Sequence, residues 1–349
     1  MSKPFGEAVL DRAALKERID ALPRVRLTHL PTPLDFCPRL TQALGGPRIY
    51  VKRDDMTGLA FGGNKARQLE FLFADILDKG ADTVVAGAYT QSNWCRQITA
   101  AACKLGLDTS LVLLHGEKGP LPQGNLLLDH LMGADVKVVE LDTMELLQPR
   151  LEARAAELRA DGRKPYVVAP FDLDVLALSA VGYVNAVVEL DQQLAALGVD
   201  PHYYVYLAGA NITPAGLVVG LRALGRRTRV VGIAPIRWQE DRATDIARIA
   251  NATAGRLGID LTIDPADVIS DDGYIGAGYG VVTAGGRAAI RLVARTEGLF
   301  LDPVYSSKAM AGLIDHIRTG RVGKEDTVIF LHTGGTPALF AYADDLMAE

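Results

Sequence analysis

Short runs rich in Val, Ile, Leu and Tyr alternate along this chain with longer stretches in which apolar residues recur at helical spacing. The short runs fall at 49–51, 83–86, 110–114, 136–140, 166–169, 203–207, 230–234 and 327–331. They lack a strict apolar–polar alternation, which predicts strands of a parallel sheet covered on both faces. The amphipathic stretches at 64–79, 93–105, 121–132, 144–161, 180–197, 214–225, 239–257, 284–297, 306–319 and 336–347 predict the intervening helices. Together they predict an α/β, doubly wound architecture. No Gly/Ser-rich linker and no fixed-period repeat marks a domain boundary. The segments carrying chemistry lie far apart, near 65, 92, 211, 279, 305 and 333. A site gathered from so many places predicts a cleft between two sheets.

Composition narrows the class. The chain has 349 residues, 49% hydrophobic and 23% charged, as in ordinary globular proteins. A net charge of −5 argues against a nucleic-acid partner. The longest apolar runs, such as 203–208, are too short to cross a bilayer, so no membrane association is expected. The first twenty residues scatter their charges and lack the apolar core of a secretory signal. Three cysteines, Cys37, Cys95 and Cys103, show no metal-ligand spacing. Their odd number points to reduced, buried thiols in a cytoplasmic protein without a metal site.

Six segments could carry a site. In KRDDMTGLAFGGNKARQLEF (52–71) a glycine turn leads to Lys65 at a helix start. Glycines allow close approach of a ligand, and a buried lysine has a lowered pKa suited to imine chemistry. The bland alternative, a solvated lysine, is mildly disfavoured by the helix dipole. In AGAYTQSNWCRQ (86–97), Gln91, Ser92 and Asn93 open a helix whose free N–H groups suit a carboxylate or phosphate; plain capping accounts for them equally. LAGANITPAGL (207–217) resembles a phosphate cradle, with Thr213 as the expected cap and Pro214 in the first turn. DDGYIGAGYGV (271–281) is followed by no immediate helix and is not a dinucleotide turn. LDPVYSSKAMAG (301–312) offers Ser306 and Ser307 as caps, and FLHTGGTPAL (330–339) is a strand, glycine turn and helix. His332 there suits packing as well as function.

Taken together, in order and spacing, GGNK, QSN, YG, DPVY, SKAMAG and HTGG resemble the fold-type II pyridoxal-phosphate (PLP) enzymes, nearest the D-cysteine desulfhydrase and 1-aminocyclopropane-1-carboxylate (ACC) deaminase family. The resemblance runs from Arg26 to the helix after HTGGTPAL. It implies two α/β domains, a large one of 1–67 plus 179–349 and a small one of 68–178, with PLP in the cleft, and a homodimer. It implies that Lys65 holds the cofactor as a Schiff base and that Tyr305 stacks on its ring. Asn93 would bond the ring oxygen, and Ser306 would partner the pyridine nitrogen beside Thr333. The phosphate would lie on Gly209, Ala210, Asn211, Ile212 and Thr213. Gln91, Ser92, Asn93, Trp94 and Tyr279 would face a small amino-acid substrate, with Ser92 and Tyr279 as proton carriers.

Two departures bear on the substrate. The family's glycine-rich G-S-G-G-T cradle reads GANIT here, which backbone contacts tolerate if no positive φ is required. Trp94 stands where the family has His or Gln. The implied reaction is α,β-elimination from D-cysteine, giving pyruvate, ammonia and sulfide; L-cysteate sulfo-lyase and ACC deaminase chemistry are alternatives. A non-catalytic binding protein on the same scaffold would be colourless, and a nicotinamide enzyme would need the absent G-x-G-x-x-G.

Overall fold

Two open sheets organise the computed structural model, which describes residues 9–140, 143–199, 203–238 and 240–348. In chain order the elements are α1 (Arg12–Asp20), β1 (Leu34–Phe36), α2 (Pro38–Leu44), β2 (Arg48–Lys52), α3 (Lys65–Asp78), β3 (Thr83–Tyr89), α4 (Asn93–Leu105), β4 (Asp108–Leu114), α5 (Gly124–Leu131), β5 (Asp135–Val139), α6 (Leu147–Ala160) and β6 (Pro165–Val167). There follow α7 (Leu173–Ala196), β7 (Tyr204–Ala208), α8 (Ile212–Ala223), β8 (Arg229–Ile233), α9 (Arg242–Arg256), β9 (Ile269–Asp271), α10 (Ala284–Glu297), α11 (Ser306–Arg318), β10 (Thr327–Leu331), α12 (Thr336–Ala341) and α13 (Ala343–Met347). The larger sheet has the order β1-β2-β10-β7-β8-β9 and is parallel except for β1. The smaller is β5-β4-β3-β6, all parallel.

The continuous apolar runs are buried on both sides, as a parallel sheet requires. In β10, Ile329 and Leu331 join the core beneath α7, α8 and α9, whereas Val328 and Phe330 join the core beneath α10 and α11. In the smaller sheet, Val84 and Ala86 face α3 and α4 while Val85 faces α6. The expected junctions at 67/68 and 178/179 fall within α3 and α7, which pack on each other along their length. A Cβ at Gly182 would lie 2.3 Å from the Arg67 carbonyl, so this glycine lets α7 approach α3 backbone to backbone.

Several boundaries differ from the sequence pattern for local reasons. Helix α7 starts at Leu173 because Asp172 accepts from the N–H groups of Asp174 and Val175. Among the described residues it is long and apolar enough to span a bilayer, beyond what the short runs suggested, but most of it is buried in the core. Helix α5 cannot extend back to 121 because Pro122 precedes it and its first residue, Gly124, is left-handed. The stretch 336–347 divides into two short helices at Tyr342. Residue 239, the expected start of α9, lies outside the described residues, and the helix begins after its Asp241 cap. The short β1, β9, α1 and α2 escaped the pattern.

Candidate active site

Lys65 is the first residue of α3, at the end of a tightly held turn. Asp54 O and Thr57 Oγ1 accept from the Gly63 N–H, and Thr333 O accepts from the Asn64 N–H at 3.1 Å. A Cβ at Gly334 would lie 2.7 Å from Gly63 Cα, so the GGNK and HTGG turns meet backbone to backbone. Arg96, wholly buried, donates to Ala60 O and Gly62 O. It thereby secures the left-handed Ala60 and Phe61 (φ 43° and 67°), which glycine would more readily adopt. Below the turn, Arg67 donates to both Asp54 oxygens at 2.8 and 2.9 Å and to Glu189, which also accepts from Lys52. The KRDD run therefore supplies a buried ion network that fixes the first turn of α3. The Lys65 amine opens to a cavity, and desolvation by surrounding protein lowers its pKa to about 8.

The loop after β7 brings the N-terminus of α8 opposite Lys65. Its cap is Asn211, whose Oδ1 accepts from the Ile212 N–H and whose Nδ2 donates to Asp245. The expected cap, Thr213, has a different task. Its hydroxyl oxygen accepts from Asn64 Nδ2 at 2.9 Å and Gln68 Nε2 at 2.8 Å, tying α8 to the lysine turn. Ala210, Asn211 and Ile212 all have negative φ, so replacing glycines there strains nothing. The N–H groups of Ala210, Asn211 and Thr213 make no hydrogen bond to another described residue.

Helix α4 contributes the third wall. Ser92 caps it by accepting from Cys95 N–H at 3.2 Å. Asn93 Oδ1 accepts from Asn125, and Trp94 lies with its ring 6.0 Å from Lys65 Nζ. Gln91 turns away: its amide bonds Gln123 O and the Asn125 N–H, and it lines neither cavity. Tyr279 and Tyr305 share a 2.5 Å hydroxyl contact, and Tyr279 also stacks on Tyr89 at 4.4 Å. Burial raises the pKa of both phenols. Lys308, from SKAMAG, donates to Ile275 O and Gly278 O and so holds the loop bearing Tyr279. Ser306 is fully buried, exchanges hydrogen bonds with Asp302 and lines neither cavity. Asp302, not Ser306 or Ser307, caps α11 by accepting from the N–H groups of Val304, Tyr305 and Ser306. His332 bonds Phe300 O and the Gly334 N–H, a packing role, while Thr333 faces the site.

These parts enclose two adjoining cavities. The inner one, about 50 Å³, is bounded by Asn64, Asn93, Ala210, Asn211, Thr213 and Thr333. The outer, about 160 Å³, reaches Ser92 and Tyr279. Lys65, Trp94, Ala210, Asn211, Ile212 and Tyr305 border both, and among the described residues Lys65 is the only charged one lining either. Phe171 and Trp238, on the outer wall, carry no mark in the sequence beyond being aromatic. No cluster of His, Cys, Asp or Glu suited to a metal occurs among the described residues.

A buried lysine facing an anion-binding helix terminus defines an α/β enzyme built around a phosphorylated carbonyl cofactor. The profile described as "Pyridoxal-phosphate dependent enzyme" matches residues 25–334, and the chain belongs to that family. Its cofactor is pyridoxal phosphate. It is 40% identical over 330 residues to a D-cysteine desulfhydrase of Klebsiella pneumoniae, covering 93% of this chain and 98% of that one. It is 41% identical over 325 residues to a D-cysteine desulfhydrase of Salmonella paratyphi C, covering 92% and 96%. The crystal structure of an ACC deaminase homologue superposes with a TM-score of 0.85 at 36% identity, covering 96% and 98%. Escherichia coli diaminopropionate ammonia lyase, at 15% identity and a TM-score of 0.66, shares the fold. The residues fit the cofactor: a desolvated amine stands opposite three N–H groups without an acceptor among the described residues, and no side chain of the GANIT loop needs a glycine conformation.

Proposed function

We propose that this chain is a PLP-dependent lyase that removes a β-substituent from a small amino acid, as its D-cysteine desulfhydrase relatives are named for doing. The observation that carries the reading is Lys65, among the described residues the sole charge at the junction of a polar inner cavity and an outer cavity. Lys65 would hold the cofactor through its amine and carry the Cα proton. The α8 terminus would hold the phosphate through the N–H groups of Ala210, Asn211 and Thr213. Asn93 would orient the ring, Tyr305 would stack on it, and the α4 terminus with Ser92 would receive the substrate carboxylate. When bound, the cofactor supplies an electron sink for the bond broken at Cα.

Among the described residues no carboxylate lines the inner cavity to keep a pyridine nitrogen protonated. That favours elimination of a good leaving group over opening of an unactivated cyclopropane. Among the described residues no second cation lines the outer cavity, which likewise disfavours a sulfonate substituent. We place the protein in the cytoplasm on its three free thiols. A homodimer is supported by exposed Leu127 and Leu131 on α5 beside Phe340 on the contacting α12. The division into a 68–178 domain and a remainder rests on the smaller sheet lying within that span. Purified protein should show an absorption band that borohydride abolishes, and should release pyruvate from D-cysteine or β-chloroalanine but no 2-oxobutyrate from ACC. A colourless protein, or ACC turnover matching every β-substituted alanine, overturns the proposal.

A further inference from the structure

The outer cavity is more apolar than a free sulfhydryl requires. Beyond Lys65 and Ser92 its wall is built from Trp94, Met144, Phe171, Leu176, Ile236 and Trp238. Phe171 and Trp238 come from segments on either side of α7, and their rings meet at 5.6 Å with a 56° tilt. Trp238 is also backed by the Arg242 guanidinium, 4.6 Å from the ring centroid. Arg242 lies 3.7 Å from Asp245, which accepts from Asn211 in the loop beside Lys65. The aromatic wall is therefore fixed to the same framework as the inner cavity. Trp94, Phe171 and Trp238 are each only half-buried and present ring surface to the cavity. Apolar surface of this kind, with no charge other than Lys65 among the described lining residues, binds an apolar group and rejects an ionic one.

We infer that the preferred substrate is a cysteine whose sulfur carries an apolar, aromatic-sized substituent, seated between Trp94, Phe171 and Trp238. The inference rests on the lyase reading above. The Cβ–S bond breaks with its electron pair on sulfur, the Cα proton is lost to a base of the site, and the thiolate takes up a proton. Water converts the three-carbon remainder to pyruvate and ammonia. The sum, S-substituted cysteine plus water giving thiol, pyruvate and ammonia, is redox neutral and needs no other reactant.

The test compares cysteine, β-chloroalanine and S-benzylcysteine, each as both enantiomers, on the holoenzyme with pyruvate as readout. The kcat/KM for S-benzylcysteine should exceed that for cysteine about tenfold or more. Trp238→Ala should collapse that ratio about tenfold, chiefly through KM, and Trp238→Phe should restore most of it. A second readout is independent of turnover. The chain's two tryptophans, Trp94 and Trp238, both line this cavity. Titrating the borohydride-reduced holoenzyme with S-benzylcysteine should therefore change tryptophan fluorescence saturably, and cysteine should not at the same concentration. Preference for free cysteine, or a ratio unmoved by Trp238→Ala and Phe171→Ala, overturns the inference. Pyruvate from β-chloroalanine without turnover of S-benzylcysteine overturns this inference alone. No pyruvate from any β-substituted alanine overturns the lyase reading with it.

Discussion

The hydroxyls of Tyr279 and Tyr305 lie 2.5 Å apart at the mouth of the inner cavity, with both phenols held protonated by burial. Two neutral phenols share one hydrogen bond, so one O–H proton is left for a third group. Tyr279→Phe removes one of the two hydroxyls and breaks the pair, while the ring still stacks on Tyr89. The expected result is a fall in kcat of about 10²-fold with the cofactor absorption band intact. A kcat within twofold of the parent's takes Tyr279 out of proton handling.

The lowered pKa of Lys65 governs how the cofactor is acquired. Only the neutral amine attacks an aldehyde, and its fraction rises as pH passes about 8 rather than the 10.5 of an ordinary lysine. Rebinding of PLP to the stripped protein should accelerate from pH 6.5 to 8.5 and then level off, followed by absorbance. A rate still climbing steeply at pH 10 contradicts the assignment. Lys65→Ala should form no borohydride-fixable adduct.

Thr213 connects the phosphate loop to the lysine turn through Asn64 and Gln68. Thr213→Val leaves both amides without their acceptor, which costs about 1–3 kcal/mol. It should lower the denaturation midpoint and hasten cofactor loss on dialysis, while Thr213→Ser behaves like the parent. Equal retention by the valine variant shows that the link is dispensable.

Asp129 is buried on α5, with Thr99 and Arg96 nearby. Burial raises its pKa from 3.8 to about 7, against the opposing pull of Thr99 and Arg96. The folded chain keeps a proton that the unfolded chain gives up, so this residue's contribution to stability falls as pH rises through that interval. Asp129→Asn should therefore raise the melting temperature by a few degrees at pH 8 and by less at pH 5. An equal gain at both pH values rules out a buried ionising carboxyl.

The strands and long helices were legible because a covered parallel strand needs an unbroken apolar run and a helix a periodic one. The turn and helix start at GGNK were legible in the glycines; the turn alone left a solvated lysine open, and the family resemblance singled out Lys65. Thr213 was read as a cap because Thr before Pro usually is one. Only the tertiary approach of Asn64 and Gln68 reassigns its hydroxyl. Ser306 was hidden similarly, its hydroxyl claimed by Asp302 four residues earlier. Phe171 and Trp238 were illegible because no local pattern states that two aromatics 67 positions apart will meet.

Strand β10 is the last to be synthesised yet sits third of six, hydrogen-bonded to β2 on one side and β7 on the other. β2 leads to Lys65 and β7 to the GANIT loop, so the amine and the phosphate cradle share no sheet until residue 331 has left the ribosome. A premature stop before residue 327 yields two unjoined halves of a binding site, each exposing a bare strand edge to its neighbours in the cell.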